Sequence, residues 1–279
     1  MNRIVRKEEL NPEVIRIEVE APRIARKRKA GQFVVLRALE TGERFPLTIV
    51  DSDADAGTIT LIYQVVGRST AELAQLGEGD EIRDVLGPLG KPTHVAKVGT
   101  VVGVAGGVGI ALLYPIARAM HEAGNRVVSF LGARNESLLF LTKELAGISA
   151  RLETITDDGS SGRKGLVTEL LREYLDSGEP ADEVVAVGPA IMMKAAVEVT
   201  KPLGIPTVVS LNPIMVDGTG MCGGCRVTVG GETKFACVDG PEFDGLEVDF
   251  DELMHRQQFY REEEAHSSHY CKLNPHRKA

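Results

Sequence analysis

The sequence predicts a protein with an all-β part and an α/β part: an N-terminal antiparallel β-barrel, a central parallel α/β domain and a small C-terminal lobe. Three observations lead to this prediction. Short β-type segments dominate residues 1–98, strand-like and helix-like segments alternate over residues 99–212, and all four cysteines lie within residues 213–279. A chain of 279 residues is long enough for two domains of ordinary size and a smaller lobe.

Short strand candidates separated by polar turns make up the first unit. Residues 14–19 alternate between core-type and polar side chains, which is the period of a strand with one buried face. Further strands are predicted at residues 33–36, 47–50, 58–66 and 80–85. One helix is predicted at residues 69–76. Short strands with a single helix are typical of a small antiparallel barrel.

In the middle of the chain, apolar strand candidates alternate with helix candidates. Strands are predicted at residues 101–104, 126–131, 152–156, 184–187 and 207–211. Helices are predicted between them, the first ending near Ala123 and the others at residues 136–146, 166–177 and 190–201. Such alternation predicts a parallel sheet with helices on both faces. A last helix is predicted at residues 251–264, in the acidic tail.

Composition and charge exclude several classes of protein. The net charge of −8 argues against nucleic acid as a partner, because phosphate binding needs a basic face. Residues 1–8 lack the apolar core of a signal peptide, and no run of 18 apolar residues could span a membrane. Cysteines confined to one segment indicate metal or cluster ligation in a reducing compartment. We therefore expect a cytoplasmic protein that binds neither nucleic acid nor membrane.

A glycine-rich turn follows the first strand of the α/β unit. It contains Gly106, Gly107, Val108 and Gly109 and opens the next helix. Glycine lets the backbone approach a ligand, and a helix N-terminus favours a phosphate group. The spacing departs from the full G-x-G-x-x-G pattern, so the alternative is a tight turn that needs glycine only for packing.

Three further turns of the same sheet carry polar or glycine residues. They contribute Arg134, Asp157 and Gly188, each directly after a predicted strand. In an open α/β sheet a ligand lies outside the C-terminal ends of the strands. Four candidate loops at one edge therefore predict a dinucleotide site.

Two segments of the β-rich unit suit a phosphate-bearing ligand. The first contains Arg44, Pro46, Leu47 and Thr48, and the second contains Tyr63, Val65, Gly67, Ser69 and Thr70. An arginine fork can pair with a pyrophosphate, and the helix that starts near Gly67 offers backbone N–H groups and hydroxyls. The alternative is an ordinary strand pair with an ordinary helix cap.

The strongest motif is Asp217-x4-Cys222-x2-Cys225-x11-Cys237. A C-x4-C-x2-C…C spacing is the plant-type pattern for a [2Fe–2S] cluster, and here an aspartate stands at the first position. A carboxylate is a harder ligand than a thiolate, but it can bind iron through oxygen. Two alternatives remain: Cys271 as the fourth ligand, or zinc in place of the cluster.

The order of these motifs resembles the ferredoxin–NADP reductase superfamily. Within it, the cluster loop and the Ala236–Asp244 segment (A-C-V-D-G-P-E-F-D) look like the electron-transfer subunit of class 1B dihydroorotate dehydrogenase. They look still more like the small subunit of NADH-dependent ferredoxin:NADP oxidoreductase, also described as sulfide dehydrogenase. Asp217 at the first ligand position favours the second group.

The resemblance implies FAD in the barrel, NAD(H) in the α/β domain and a [2Fe–2S] cluster in the lobe. By position, the flavin and its phosphates should contact Arg44, Pro46, Leu47, Thr48, Tyr63, Val65, Gly67, Ser69 and Thr70. The dinucleotide should border Gly106, Gly107, Val108, Gly109, Arg134, Asp157 and Gly188. NADP(H) stays possible, although Glu136 beside Arg134 would repel a 2′-phosphate. The chain departs from the wider superfamily at Pro46, where a tyrosine usually stands.

The resemblance also implies a partner and a mechanism without a catalytic acid or base, since the cofactors carry the chemistry. We expect a heterodimer with a larger flavoprotein that holds iron–sulfur clusters, and ferredoxin as a partner reached through that complex. In the family this assembly can split the two electrons of NADPH between ferredoxin and NAD. One alternative is the same subunit serving dihydroorotate oxidation. Another is a non-enzymatic zinc-loop module that binds a nucleotide.

Overall fold

The computed structural model describes residues 2–259. Its N-terminal part is a six-stranded antiparallel sheet in the order β1-β2-β5-β4-β3-β6. The strands are β1 (Ile4–Asn11), β2 (Val14–Glu20), β3 (Phe33–Arg37), β4 (Arg44–Asp53), β5 (Thr58–Gln64) and β6 (Asp84–Leu89). The two edges of the sheet meet where the Ile4 N–H donates to the Asp80 carbonyl at 2.9 Å and the Ile82 N–H donates to the Asn2 carbonyl at 2.9 Å. These bonds close the sheet into the predicted barrel.

Most of the predicted barrel strands are present, with two differences. Residues 80–82 lie outside β6 and pair with the start of the chain. β1 was not predicted, because only Ile4 of its residues is buried and its other side chains are mostly charged. Two helices accompany the barrel: α1 (Pro22–Ala25), which was not predicted, and α2 (Arg68–Gln75), which was.

The central part is a parallel sheet whose first six strands run in the order β10-β9-β8-β7-β11-β12. Its elements are β7 (Thr100–Gly106), α3 (Gly109–Glu122), β8 (Arg126–Ala133), α4 (Thr142–Ala146), β9 (Arg151–Thr156), β10 (Arg163–Lys164), α5 (Val167–Asp176), β11 (Glu183–Val187), α6 (Ala190–Thr200) and β12 (Thr207–Ser210). This confirms the predicted α/β arrangement.

Alternate residues of the strands enter two separate cores. On β7, Val102 packs in the core beneath α5 and α6, whereas Val101 packs in the core beneath α3. The second core also contains Val14, Val50 and Ile62 from the outer face of the barrel. Buried apolar contact therefore holds the barrel against α3 and sets the position of the two sheets relative to each other.

The predicted helix at residues 136–146 forms only in part. A 3₁₀ turn covers Glu136–Leu138, and α4 begins at Thr142 after Leu141 adopts a left-handed backbone with φ of 54°. Leu138 and Phe140 are both buried. The left-handed Leu141 thus interrupts the predicted helix and separates these two buried side chains from α4.

The C-terminal segment folds onto both preceding parts. It contains β13 (Arg226–Val229), β14 (Glu232–Phe235), α7 (Ala236–Asp239), β15 (Glu242–Asp244) and α8 (Phe250–Arg256). β13 and β14 form a hairpin, and β15 pairs antiparallel with β12 as the seventh strand of the large sheet. α8 begins close to the start of the predicted tail helix but ends at Arg256, whereas the prediction extended to residue 264. Residues beyond 259 lie outside the described part. Among the helices of residues 2–259, none has the length and apolar character needed to cross a membrane.

Candidate functional site

A cleft of about 1130 Å³ lies between the barrel and the C-terminal ends of the parallel strands. Most of the residues predicted to bind cofactors line it: Pro46, Leu47, Thr48, Tyr63, Thr70, Gly106, Gly107, Val108, Gly109, Arg134, Asp157 and Gly188. The other four, Arg44, Val65, Gly67 and Ser69, lie on the same two barrel segments but not in the cleft wall. The structure thus brings the two predicted ligand regions together in one cavity.

The glycine turn between β7 and α3 is shaped by backbone contact. A Cβ on Gly109 would collide with the carbonyl oxygen of Val187, and a Cβ on Gly106 would lie 2.6 Å from the sulfur of Met192. Gly107 has φ of 57° and faces open space, since a Cβ there would meet nothing within 4 Å. Gly109 therefore allows close packing of α3 on β11, Gly106 allows the approach of Met192 from α6, and Gly107 leaves the backbone open to a ligand.

Tyr63 carries an unused polar group at the cleft. Its side chain is 1% exposed, and its buried hydroxyl has no hydrogen-bond partner among residues 2–259. Burial raises the pKa of Tyr63 well above its ordinary value, so the hydroxyl stays protonated. The ring packs in the core of the barrel, where a hydroxyl without a partner is costly.

Thr70 uses its hydroxyl within the chain. The oxygen accepts from the N–H groups of Val66 and Gly67, both at 3.1 Å, and the hydroxyl donates to the Gly67 carbonyl at 3.0 Å. This arrangement caps α2 and holds its first turn at the cleft. Thr70 thereby positions the helix N-terminus that faces a ligand.

Several cleft residues were not found from the sequence. They include Phe33, Met192, Leu211, Asn212, Met215 and Pro241. Leu211 to Met215 follow the last parallel strand, and Pro241 precedes the antiparallel β15. The residues after β12 could have been found, because they follow a predicted strand of the parallel sheet. The position of Pro241 depends on the pairing of β15 with β12, which no local pattern reveals.

Asp217 lies in a loop that already satisfies its carboxylate. One oxygen accepts from the Thr219 N–H and from the Thr219 hydroxyl, and the other accepts from the Cys222 N–H at 2.5 Å. Hydrogen bonds from Cys222 and Thr219 hold the pKa of Asp217 far below its usual range. The loop turns through Gly218, Gly220 and Gly223, all with positive φ, a backbone conformation that glycine adopts readily.

The three described cysteines of the motif are free thiols in one lobe. Cys222 is exposed, whereas Cys225 and Cys237 are buried. The Gly224 N–H donates to the Cys222 sulfur and the Cys237 N–H to the Cys225 sulfur, both at 3.5 Å. Burial, followed by the neighbouring Cys225, raises the pKa of Cys237 to about 12.

This lobe has the donors that an iron–sulfur cluster requires. Amide N–H groups aimed at sulfur stabilise the negative charge of a thiolate and of a cluster. Within residues 2–259, no three candidate ligand side chains converge on one point, so a bound cluster would draw them together. Cys271, the alternative fourth ligand, lies outside the described residues.

Comparison with known proteins agrees with both parts of the site. Residues 104–198 match the oxidoreductase NAD-binding domain, and residues 212–249 match the iron–sulfur cluster binding domain of dihydroorotate dehydrogenase B. The second match favours the predicted [2Fe–2S] cluster over zinc.

Relatives that match over most of the chain are also associated with NAD-linked electron transfer. The chain is 50% identical over 264 residues to a Thermotoga maritima protein described as a homolog of the dihydroorotate dehydrogenase B (NAD(+)) electron transfer subunit, covering 95% of this chain and 93% of the relative. It is 34% identical over 245 residues to the Desulforamulus reducens electron transfer subunit of that enzyme, covering 85% and 93%.

Solved structures add a full-length match. A structure of NADH-dependent reduced ferredoxin-NADP oxidoreductase, described in connection with flavin-based electron bifurcation, has a TM-score of 0.92, 48% identity and 98% coverage of both chains. A ferredoxin NADP+ reductase from Neisseria gonorrhoeae shares the fold, with a TM-score of 0.58, 19% identity and coverage of 73% of this chain and 90% of that one. The chain therefore belongs to the family of dihydroorotate dehydrogenase B electron-transfer subunits and their homologues, and it is an electron-transfer subunit of an NAD-linked flavin oxidoreductase with a ferredoxin reductase-like fold.

Proposed function

We propose that this chain is the small subunit of an NADH-dependent ferredoxin:NADP oxidoreductase. In this role it connects NAD(H), through FAD and a [2Fe–2S] cluster, to a larger flavoprotein. The observation that carries the proposal is the full-length match to that oxidoreductase, at 48% identity over 98% of both chains. The Desulforamulus dihydroorotate dehydrogenase subunit shares 34%.

The cleft gives the two nucleotides one shared cavity. We assign NAD(H) to the glycine turn 106–109 with Arg134, Asp157 and Gly188, and FAD to the barrel segments 44–48 and 63–70. Bound FAD supplies the chemistry that joins a two-electron hydride donor to one-electron carriers. The chain supplies position: helix N-termini for phosphates and an open backbone at Gly107.

We assign the cluster to Asp217, Cys222, Cys225 and Cys237. The depressed pKa of Asp217 keeps its carboxylate anionic throughout the physiological range, so it can bind iron without releasing a proton. The amide N–H groups of Gly224 and Cys237 would hold the sulfurs of Cys222 and Cys225 in place. The chain would thereby position and tune the cluster.

The surface beside Cys222 suits a subunit interface. Met221 is 89% exposed, and Val216 and Val238 are also exposed apolar residues of this lobe. Exposed apolar side chains beside a redox site favour burial against a partner. We therefore place the larger flavoprotein at the cluster lobe, with ferredoxin reached through that protein.

Dihydroorotate oxidation is the second candidate function. Its support is the name of the relatives, several of which are electron transfer subunits of dihydroorotate dehydrogenase B. The two candidates differ in the partner, so the native complex distinguishes them. A partner that reduces NADP with ferredoxin supports the first candidate, and one that oxidises dihydroorotate supports the second.

The test of the proposed function is purification of the native complex with analysis of its cofactors. We expect FAD and a [2Fe–2S] cluster in this chain, seen as flavin absorption bands and as an electron-spin resonance signal after reduction with NADH. NADH should bleach the flavin bands within the reaction time of the complex. A chain isolated with zinc, or one without flavin, would overturn the proposal.

Replacing the fourth ligand tests the cluster assignment. Asp217→Cys should shift the electron-spin resonance signal and lower the reduction potential, because a thiolate donates more charge to iron than a carboxylate does. Cys271→Ser is the matched control and should change neither. The opposite pattern, with a shift only in the Cys271 variant, would assign the fourth position to Cys271.

A further inference from the structure

Glu13 reaches from the barrel to the α/β part beside the cleft. It lies in the turn between β1 and β2, and its Oε2 accepts from Arg134 at 2.8 Å and from the Gln64 amide at 2.7 Å. Its backbone is also held, because its N–H donates to Asn11 Oδ1 at 2.9 Å and its carbonyl accepts from the Val65 N–H at 2.8 Å. The carboxylate therefore has a defined position at the cleft.

Arg134 occupies the place where a dinucleotide fold reads the adenosine ribose. It directly follows β8, which is the second strand of the α/β part and the first after the glycine turn, and it lines the cleft. At this strand end an acidic side chain can bind the 2′-hydroxyl of NAD, whereas an arginine can accommodate the 2′-phosphate of NADP. Arg134 is thus the cation best placed for a 2′-phosphate, and its guanidinium is paired with Glu13.

The charges around Arg134 are mostly negative. Glu136 and Asp158 lie on two neighbouring loops that Ser160 connects: its hydroxyl oxygen accepts from the Glu136 N–H at 2.7 Å, and its hydroxyl donates to Asp158 at 2.6 Å. Hydrogen bonds from Ser160 lower the pKa of Asp158, so it is anionic at neutral pH. Asp157 adds a further carboxylate at the cleft wall.

We propose that Glu13 is a specificity-determining residue that keeps this cleft selective for NAD(H) by engaging Arg134 from across the domain boundary. The inference rests on the proposed function, because it takes the dinucleotide to bind at these strand ends. An ion pair that engages Arg134 makes a 2′-phosphate compete for the guanidinium and adds repulsion by the Glu13 carboxylate. NAD(H) carries no charge at this position and is unaffected. The side chains of Arg134 and Glu13 are 64% and 44% exposed, so the pair adds little to stability and can be altered without unfolding the chain.

The test measures how strongly NAD+ and NADP+ compete with NADH for this cleft in the native complex, as inhibition constants against NADH, so that an NADP site on the partner does not contribute. Glu13→Gln should tighten NADP+ binding by about fivefold and change NAD+ binding by less than about twofold, which is the scale of one exposed charge. The inhibition constant of NADP+ against NADH should fall to the same extent, while kcat with NADH stays constant. Glu18→Gln is the matched control, because Glu18 lies on β2 and pairs with Arg6 and Arg16 instead.

A double variant distinguishes two explanations for tighter NADP+ binding. One is that Arg134 is released from its ion pair with Glu13, and the other is that the cleft as a whole becomes less negative. In the Arg134→Ala background, Glu13→Gln should no longer tighten NADP+ binding. If the gain persists without Arg134, or if Glu13→Gln leaves NADP+ binding unchanged while NAD+ binds normally, the inference is wrong and the proposed function stands. If the native complex binds neither nucleotide in this cleft, the proposed function fails together with the inference.

Discussion

At the start of β15, the carboxylate of Glu242 accepts a hydrogen bond of 2.7 Å from the Thr93 hydroxyl. Thr93 belongs to the segment that leads from the barrel to the large sheet, and its N–H donates to the Ala30 carbonyl at 2.9 Å. Burial raises the pKa of Glu242 to about 7, and the nearby Glu183 adds to this effect although Thr93 opposes it. A single carboxylate thus joins three parts of the chain and titrates near neutral pH.

This carboxylate should make stability fall as the pH rises. A carboxyl group whose pKa is raised by folding stabilises the native state fully below its unfolded pKa, here 4.5, and loses that contribution as the pH passes through 7. We expect Glu242→Gln to match the parent chain at pH 4.5 and to exceed its unfolding free energy by about 1–3 kcal/mol at pH 8.

Denaturant unfolding at the two pH values measures this difference. Glu198→Gln, on the exposed side of α6, is the control and should give the same difference from the parent at both pH values. A Glu242 variant without any pH-dependent gain would show that Glu242 is ionised at no cost in the folded state.

At the scale of elements, α3 packs directly against the backbone of β11 at Gly109, which has no side chain. A Cβ on Gly109 would collide with the Val187 carbonyl and would lie 3.1 Å from the Gly188 Cα. Gly→Ala in a helix normally stabilises by about 0.5–1 kcal/mol, but here the obstacles are backbone atoms that cannot move aside cheaply. We expect Gly109→Ala to lower the unfolding free energy by about 1–3 kcal/mol and to weaken NAD+ binding.

Gly147→Ala is the matched control for this substitution. Gly147 has φ of −67°, and a Cβ there would lie 3.4 Å from the nearest atom, so the change should be nearly neutral. Denaturant unfolding and nucleotide titration measure both effects. Equal stability of the two variants would mean that α3 can move away from β11 without cost.

The elements differ in how well the sequence predicts them, for physical reasons. Most strands and helices from β7 to β12 are apolar segments with clear periods, so their positions follow from the pattern. The exception among the strands is β10, a pair of exposed charged residues that was not predicted. The short β15 was missed because it exists only through its antiparallel pairing with β12. The edge strand β1 was missed because it buries so little. The break before α4 lies at the left-handed Leu141, which a local helix pattern does not reveal.

At the scale of the whole molecule, some parts of the candidate site were predictable from the sequence and others were not. The glycine turn, the cysteine spacing and the barrel segments are local motifs, and the sequence predicted them. Residues that act across the chain, such as Glu13 with Arg134, left no local signal because 121 positions separate them. Met192 and Pro241 came to the cleft through packing and strand pairing that only the folded chain shows.

One ionic network connects the two large parts of the molecule. Asp51 of β4 receives two hydrogen bonds from Arg118 of α3, at 2.8 and 3.0 Å, and one from Arg28, at 2.8 Å. Burial raises the pKa of Asp51, but hydrogen bonds from Arg118 and Ser52 and the charge of Arg28 outweigh burial, so the pKa lies below its ordinary value. The Arg28 side chain is only 9% exposed and depends on this carboxylate for charge balance.

Removing this carboxylate should loosen the barrel from α3 and leave the buried Arg28 guanidinium without its carboxylate partner, although its Nε still donates to the Ser52 hydroxyl at 2.8 Å. We expect Asp51→Asn to lower the unfolding free energy by about 1–3 kcal/mol at pH 7, less than a fully buried pair would lose because the Asp51 side chain is 39% exposed. Since folding depresses the pKa of Asp51, its contribution is present above the unfolded pKa of 3.8 and is lost as the pH falls through the folded value. The difference from the parent should therefore shrink below about pH 4.

The same variant should slow reduction of the flavin by NADH, because the network holds the two walls of the cleft together. Asp84→Asn is the matched control: Asp84 pairs with Arg37 at 2.6 Å, but both residues belong to the barrel. It should cost some barrel stability and leave the rate of flavin reduction unchanged, as measured by stopped-flow absorbance of the native complex. If the two variants reduce flavin equally fast, the apolar contacts of Val14, Val50 and Ile62 with the core beneath α3 are sufficient to hold the cleft. In that case the network serves only stability.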